Sequence, residues 1–429
     1  MQISTLDSPP ATRISVPGSK SHTNRTLLVA ALAEGTTRLE NALFSDDSEY
    51  FAQALTSLGF EIILNEDARS MTLSGLGGNI PAAQAALYIG NAGTAARFLT
   101  AMLTLGHGEY KIDGVERMRQ RPIGDLVRAL RKLGANLEGT LLDQETVCPP
   151  VSIYASGLPG GNTTIRGDIS SQFLSGLLMV APYAQKQVEI SVEGPLHSKP
   201  YIDLTLDVMA DFGIEVQREG YDYFQVKPDK YRSPGTYQIE SDASAASYFF
   251  AVPAICGGWV AVANLSRSAR QGDIAFVDIL AQMGCSVNEL PDALCITGPD
   301  RLKGVDVDMS NISDTSITLA AIAPFAESPT TIRGIASSRL KETDRIAATV
   351  NELRRLGVQV DEFPDGMTIY PSKAIQPAQI HTYDDHRMAM AFALVGLRVP
   401  GIEIQNPGCV AKTFPDYFDV LEKLRRKSI

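Results

Sequence analysis

The chain has 429 residues, 44% of them hydrophobic and 20% charged, which is too long for one ordinary core and apolar enough to fill several. Its net charge of −11 at pH 7 argues against nucleic acid or an anionic membrane as the main partner, yet leaves room for a local basic cleft that takes small anions. Five cysteines (Cys148, Cys256, Cys285, Cys295 and Cys409) are odd in number and widely spaced, without a CxxC or Cys/His ligand pattern, and the five histidines are scattered too. Reduced thiols and the absence of a metal centre are therefore expected. The first residues lack the basic and apolar regions of a signal peptide, so a cytoplasmic protein is expected.

In chain order the first informative stretch is Ser15–Arg25, Ser-Val-Pro-Gly-Ser-Lys-Ser-His-Thr-Asn-Arg. A Pro-Gly turn delivers Lys20, Ser21, Thr23 and Arg25 into the first turns of an Ala/Leu-rich helix. Hydroxyls, unpaired backbone N–H groups and two cations at a helix start suit an anion. By itself, a Ser/Thr cluster ahead of an apolar run is commonly only an N-cap.

Similar polar starts recur at Gly90-Asn-Ala-Gly-Thr94, Asp168-Ile-Ser-Ser171, Asp242-Ala-Ser244, Asp314-Thr-Ser316 and Asp385-His-Arg387, spaced by roughly seventy residues. Each precedes a small or apolar helix and then a strand-like run such as Glu109-Tyr-Lys-Ile112 or Thr330-Thr-Ile332. A second pattern alternates with it, an amphipathic helix closed by glycine. It appears at Ala52–Gly59, Leu126–Gly134, Leu206–Gly213, Val277–Gly284 and Val350–Gly357, and a sixth copy runs from Tyr417 to Arg425. The closing glycines supply the left-handed residue that stops a helix. The uncharged run 243–266 is broken by Pro253, Gly257 and Gly258, so it reads as buried helix, turn and strand and not as a membrane span.

Six in-phase α/β units follow, each pairing one apolar, buried helix with one charged on its outer face. Six units fit two lobes of three better than one stack. Pro17-Gly18 and Pro234-Gly235 mark the lobe boundary, giving a discontinuous lobe of residues 1–19 and 240–429 and a second lobe of 20–239, with a hinge where the chain crosses twice.

Some segments carry more charge than a cap requires. Glu116–Gly124 holds Arg117, Arg119 and Arg121. Arg339-Leu-Lys-Glu-Thr-Asp-Arg345 alternates cations with carboxylates at helix spacing, so that Lys341 and Arg345 share a face. Alone, such a run is most simply a solvated face. Tyr383–Arg387 and Ala411–Pro415 add Arg387 and Lys412, whereas nothing near Asp242 asks for more than an N-cap.

The ordered set Pro-Gly-Ser-Lys-Ser-x-x-Asn-Arg (17–25), Gly-Asn-Ala-Gly-Thr-Ala (90–95), Arg-Pro-Ile (121–123), Ser-Ser-Gln-Phe (170–173), Ser-Lys-Pro-Tyr (198–201), Lys-Glu-Thr-Asp-Arg (341–345), Asp-His-Arg-Met-Ala-Met (385–390) and Lys-Thr-Phe-Pro-Asp (412–416) resembles the 5-enolpyruvylshikimate-3-phosphate synthases from about residue 14 onward. The resemblance implies an α/β fold, a two-lobed inside-out α/β barrel whose lobes each hold three βαβαββ repeats with buried helices and face an active site in the cleft between them. It implies transfer of the enolpyruvyl group of phosphoenolpyruvate to the 5-hydroxyl of shikimate 3-phosphate, a step toward chorismate and the aromatic amino acids, with no metal and no other cofactor. It also implies competition by glyphosate at the phosphoenolpyruvate site. Monomer is the expected state, with neither nucleic acid nor membrane as partner.

By the same resemblance, Lys20 serves both substrates. Ser21, Arg25, Ser170, Ser171, Ser198, Tyr201, Asp314, Ser337 and Lys341 hold shikimate 3-phosphate. Asn91, Gly93, Arg121, Gln172, Arg345, Arg387 and Lys412 surround phosphoenolpyruvate. Two substrates with a carboxylate and a phosphate each bring about six negative charges, which this set of cations matches. Asp314 is assigned to the hydroxyl proton and Glu342 to the methylene carbon, with Lys20 and His386 as contributors. Two positions depart from the common family pattern: Phe98 stands where proline is familiar, and Ser337-Ser338 where Asn and an aromatic are common. The competing enzyme reading is enolpyruvyl transfer to UDP-N-acetylglucosamine, against which stands the lack of a cysteine near residues 115–120. A non-catalytic anion-binding scaffold is the other alternative, and it leaves Asp314 and Glu342 without a purpose.

Overall fold

The computed structural model describes residues 1–424. The chain divides into two compact units, an inserted unit spanning Gly18–Ile239 and a terminal unit made of Met1–Pro17 with the chain from Glu240 onward. Helices of the inserted unit are α1 (Lys20–Leu32), α2 (Asp46–Ser57), α3 (Gly93–Leu103), α4 (Gly124–Lys132), α5 (Ser171–Val180) and α6 (Lys199–Asp211). Those of the terminal unit are α7 (Ala243–Cys256), α8 (Phe276–Gln282), α9 (Ser316–Ile322), α10 (Arg345–Arg355), α11 (His386–Gly396) and α12 (Tyr417–Lys423). Arg425, where the sixth amphipathic copy was read to end, lies outside the described residues.

The odd-numbered helices are the buried ones, because beyond their polar first turns small and apolar residues cover every side. Every residue of α3, α9 and α11 is buried, as is α1 from His22 onward. In the terminal unit α7, α9 and α11 touch one another pairwise, and in the inserted unit α3 touches both α1 and α5. Fully covered side chains such as Leu27, Leu99, Leu177 and Leu394 each contribute about 1.5–3 kcal/mol on leaving water. The even-numbered helices show the other pattern. In α4 the residues Leu126, Val127, Ala129 and Leu130 are buried while Arg128, Arg131 and Lys132 face solvent.

Glycine closes five of these outer helices for the expected reason: Gly59, Gly134, Gly213, Gly284 and Gly357 all have φ between 77° and 104°. The uncharged run after Asp242 forms α7, a turn at Gly257-Gly258 with both φ at 70°, and the strand Trp259–Ala263. No helix among the described residues is long and apolar enough to cross a membrane.

Among the described residues, five of the six sheets share one topology, a parallel pair extended by two antiparallel neighbours. In the inserted unit, for example, strand Gln84–Tyr88 lies parallel to His107–Asp113, which pairs antiparallel with Val147–Ser156, and that strand pairs with Leu137–Leu141. The sixth sheet holds only the parallel pair Gln379–Ile380 and Glu403–Ile404, to which Gln2 adds a bridge. Two sheets recruit a strand distant in sequence. Thr236–Gln238 completes the first sheet of the inserted unit beside Glu34–Glu40, and Ala11–Ile14 completes a sheet of the terminal unit beside Trp259–Ala263. Membership in a unit thus changes between Pro17 and Gly18 and again between Ile239 and Glu240.

Candidate functional site

In the terminal unit a short 3-10 turn, Ser313–Thr315, precedes α9 and presents Asp314. The turn is held by its own hydroxyls: Thr315 donates to the carbonyl of Ile312 and Ser316 to that of Ser313. Asp314 therefore caps nothing. Its Oδ1 accepts from Lys341 Nζ and from Arg345 Nη1 at 3.1 Å, and its Oδ2 accepts from Arg387 Nη2 at 2.7 Å. Arg345 also spans two further carboxylates, donating from Nη2 to Glu342 at 2.8 Å and from Nε to Asp385 at 2.7 Å. Three cations thus interlock with three carboxylates, and Asp385 is fully buried.

The elements explain this geometry. Arg345 is the first residue of α10, whose N-cap is Asp344, and Arg387 lies in the first turn of α11, where Asp385 accepts from the Arg387 N–H at 2.9 Å. Lys341 is not on α10, as its spacing from Arg345 suggested; it follows the 3-10 segment Ala336–Leu340, and Asp314 accepts from both cations. Ser337 stands half-buried in that segment, with Ser338 fully buried beside it. His386 is fully buried, its Nδ1 3.6 Å from Asp385. Lys412, 8% exposed, ends a 3-10 stretch (Pro407–Lys412) packed on α11. Of the other aspartates at the repeat starts, Asp242 caps α7 through Ala245 N, whereas Asp168 pairs with Arg166 and leaves the cap of α5 to Ser170.

Burial alone would raise the Asp314 carboxyl, but Arg387, Lys341 and Arg345 outweigh it and hold the group well below the ordinary carboxylate range. Burial pushes the Lys341 ammonium down, and Asp314 only partly restores it. For Arg345, burial is overcome by Asp385, Glu342 and Asp314, which raise it.

The inserted unit gathers a second set. Lys20 opens α1 and lies 3.3 Å from Asp47, which is buried in the first turn of α2. Arg25 is fully buried. It donates to Thr205 Oγ1 at 2.8 Å, to the carbonyl of Ser21 at 2.9 Å, and to Ser175 and the carbonyl of Tyr201. Its guanidinium lies 5.3 Å from the centre of the Phe98 ring and 5.7 Å from that of Tyr201. Burial lowers it to about 10, so it stays charged at neutral pH. Arg121, coming from the loop before α4, donates from Nη1 to both the backbone and side-chain oxygens of Asn91 at 3.0 Å. Gly93 lies under that guanidinium, and a Cβ there would sit 2.5 Å from Nη2. Gln172 reaches Thr94 at 3.4 Å, Ser171 begins α5, and Ser198 takes a left-handed φ of 56° at the start of α6. Of the other two loop arginines, Arg119 is bound to Asp113 and Arg117 to Gln120, both at the surface.

The residues read from the sequence thus fall into two groups. Asp314, Lys341, Glu342, Arg345 and Arg387 meet in the terminal unit, while Lys20, Arg25, Tyr201, Asn91, Gly93 and Arg121 lie within the inserted one. Sequence reasoning missed Asp47, Asp385 as an ion-pair partner, Tyr248, Thr205 and Ser175. Asp47 stands in Ser45-Asp-Asp-Ser48, which reads as an ordinary acidic helix start. Tyr248, whose hydroxyl lies 3.4 Å from Arg387 Nη1, carries no signal in its apolar helix.

The family model for EPSP synthase (3-phosphoshikimate 1-carboxyvinyltransferase) matches residues 7–421. The chain belongs to the EPSP synthase family. A 3-phosphoshikimate 1-carboxyvinyltransferase of Nostoc punctiforme is 53% identical over 420 residues, covering 97% of both chains. The chloroplastic 3-phosphoshikimate 1-carboxyvinyltransferase of Arabidopsis thaliana is 47% identical, with 96% of this chain and 82% of that one covered. Among solved structures, EPSP synthase from Acinetobacter baumannii superposes with a TM-score of 0.81 at 28% identity, covering 99% of this chain and 97% of that one. The family's α/β architecture accordingly applies to this chain.

Proposed function

We propose that the chain carries out the reaction for which its family is named, transferring the carboxyvinyl group of phosphoenolpyruvate to the 5-hydroxyl of shikimate 3-phosphate and releasing phosphate. The observation that carries this is Arg345, whose two terminal nitrogens hold two carboxylates, Asp314 at 3.1 Å and Glu342 at 2.8 Å. Addition across the enol phosphate double bond needs one proton removed and another delivered, so two carboxylates beside one anion-binding guanidinium are the groups required.

In the first step the 5-oxygen bonds to C2 of phosphoenolpyruvate, Asp314 accepts the hydroxyl proton, and C3 gains a proton that the Glu342 carboxylate has first taken up from solvent, giving a tetrahedral adduct. In the second, a methyl proton returns to base, the C2–O bond to phosphate breaks, and the double bond reforms. In the resting protein Asp314 is a weak base, because three cations stabilise its charge. Substrate phosphate and carboxylate groups compete for those cations, and each one drawn away raises the Asp314 pKa toward a useful value. Substrate binding thereby activates the base. Lys20 and His386 assist charge and proton movement, and Arg121, Arg345, Arg387, Lys412, Asn91, Gly93 and Gln172 surround phosphoenolpyruvate. Ser21, Arg25, Ser170, Ser171, Ser198, Tyr201, Ser337 and Lys341 serve shikimate 3-phosphate. Arg25 does so from within the wall, since four of its hydrogen bonds are spent on the protein.

Both units thus serve one pair of substrates, in a cytoplasmic monomer whose phosphoenolpyruvate site also takes glyphosate. The five cysteines, none in a disulfide, support the cytoplasmic placement. Phosphate release from phosphoenolpyruvate, with shikimate 3-phosphate or UDP-N-acetylglucosamine as acceptor, tests the reading. Turnover with the first alone supports it, turnover only with the sugar nucleotide overturns it, and turnover with neither points to a scaffold. Glu342→Gln should abolish exchange of the C3 protons with solvent; near-normal exchange would remove Glu342 from that role.

A further inference from the structure

Just before α11 the backbone does something costly. Tyr383 and Asp384 both take φ of 54°, two consecutive non-glycine residues in the left-handed region. Such a conformation persists only where its surroundings hold it. The next residue is Asp385, which binds Arg345 at 2.7 Å and accepts from the Arg387 N–H. The strained pair therefore sets the position of the carboxylate that orients two proposed phosphoenolpyruvate ligands.

What holds the pair is Glu352, a fully buried carboxylate on α10. Its Oε1 accepts from the Tyr383 hydroxyl at 2.8 Å, and its Oε2 accepts from the His381 N–H and from Arg355 Nε, both at 3.0 Å. On the other side Asn406 donates to the side chain of Asp384. Glu352 lies seven residues after Arg345, two helical turns on and hence on the same face. One face of α10 thus grips the 381–385 segment at two points, through Glu352 to His381 and Tyr383 and through Arg345 to Asp385.

We propose that Glu352 and Tyr383 are positioning residues for phosphoenolpyruvate: by clamping the left-handed 383–384 turn to α10 they fix Asp385, and through it the directions of Arg345 and Arg387. Neither touches substrate in this account. It rests on the assignment of Arg345 and Arg387 to phosphoenolpyruvate made above.

The test is steady-state kinetics of the full-length protein with each substrate varied in turn, together with thermal melting. Tyr383→Phe removes the hydroxyl, and with it the bond to Glu352 and the contact with Asn351, and keeps the ring. It should raise KM for phosphoenolpyruvate by about 3–10-fold, the size of a typical net hydrogen-bond contribution, with KM for shikimate 3-phosphate within about twofold of normal. Glu352→Gln, which keeps an acceptor for the hydroxyl, should lie between Tyr383→Phe and Glu352→Ala in its effect. A fall in Tm with both KM values unchanged, or an equal rise in both, would reduce the clamp to a structural role and overturn the proposal. Arg387→Ala separates the two readings. If it leaves KM for phosphoenolpyruvate unchanged, the site assignment has failed; if it raises KM while Tyr383→Phe does not, the clamp alone has failed.

Discussion

At the scale of single residues, Gly93 is held to glycine by its neighbour Arg121. The resemblance placed the glycine beside phosphoenolpyruvate, and a side chain there would extend from the start of α3. The guanidinium of Arg121 occupies that space, and a Cβ would press to 2.5 Å of it. Gly93→Ala should therefore displace Arg121 and raise KM for phosphoenolpyruvate by about tenfold, the equivalent of losing a charge-assisted hydrogen bond, while KM for shikimate 3-phosphate stays put. Steady-state kinetics decides it, and equal effects on both substrates would show that the whole unit had shifted. Asp314 offers a sharper test. Asp314→Asn should cost about 10²–10⁴-fold in kcat as the proton acceptor is lost, and about 1–3 kcal/mol of stability as three cations lose their shared carboxylate. Because the folded-state pKa of Asp314 is depressed, its stabilisation is complete above the ordinary carboxyl range and is lost as pH falls through the lower folded value. The stability gap between the wild type and Asp314→Asn, followed by denaturant melts, should hold steady from pH 7 to about 5 and narrow only below about 4. A gap that closed near pH 6 would mean the cations do not act on Asp314 as the geometry implies. Phe98, the departure behind Gly93, is a packing residue, with its ring against Arg25.

At the scale of elements, the repeat was legible because each helix type has a local cause. Glycine after the amphipathic helices, and small or apolar residues throughout the buried ones, are one-dimensional signals that need no knowledge of neighbours. Gly357 makes this quantitative, with its φ of 77° and a Cβ that would lie 3.3 Å from Gln376. Gly357→Ala should cost about 1–2 kcal/mol by thermal or denaturant unfolding without altering either KM. An unchanged Tm would mean that α10 ends by other means. The helix starts were less legible. A polar residue before an apolar run signals a cap, but Asp168 and Asp314 cap nothing and Ser170 does. Spacing also placed Lys341 on a helix face with Arg345. The chain instead turns at 341–344, and a third residue, Asp314, unites the two cations.

At the scale of the whole molecule, the chain changes units at two peptide links, Pro17–Gly18 and Ile239–Glu240. Gly18 is bound tightly into the inserted unit, where a Cβ would fall 1.8 Å from the carbonyl oxygen of Asn41. If both units serve one pair of substrates, changes in either should reach phosphoenolpyruvate. Thermal stabilisation by phosphoenolpyruvate with shikimate 3-phosphate should be lost in Lys20→Met, in the inserted unit, and also in Arg387→Ala, in the terminal unit. Lys20→Met should abolish turnover while leaving the ligand-free fold intact. Stabilisation that survived in one variant would assign phosphoenolpyruvate to the other unit alone.

What the sequence determined by itself was the repeat, the helix types, the glycine stops and the ordered motifs that mark the family. All of these are written in residue type and spacing along one dimension. Only the tertiary structure decided which charges meet. Asp314 lies 73 residues from Arg387 and 27 from Lys341, and Glu352 lies 31 from Tyr383. Their partnership depends on which buried helices pack together, and no local propensity encodes that. Lys20 makes the same point: its sequence context shows a cation at a helix start, and folding places Asp47 beside it.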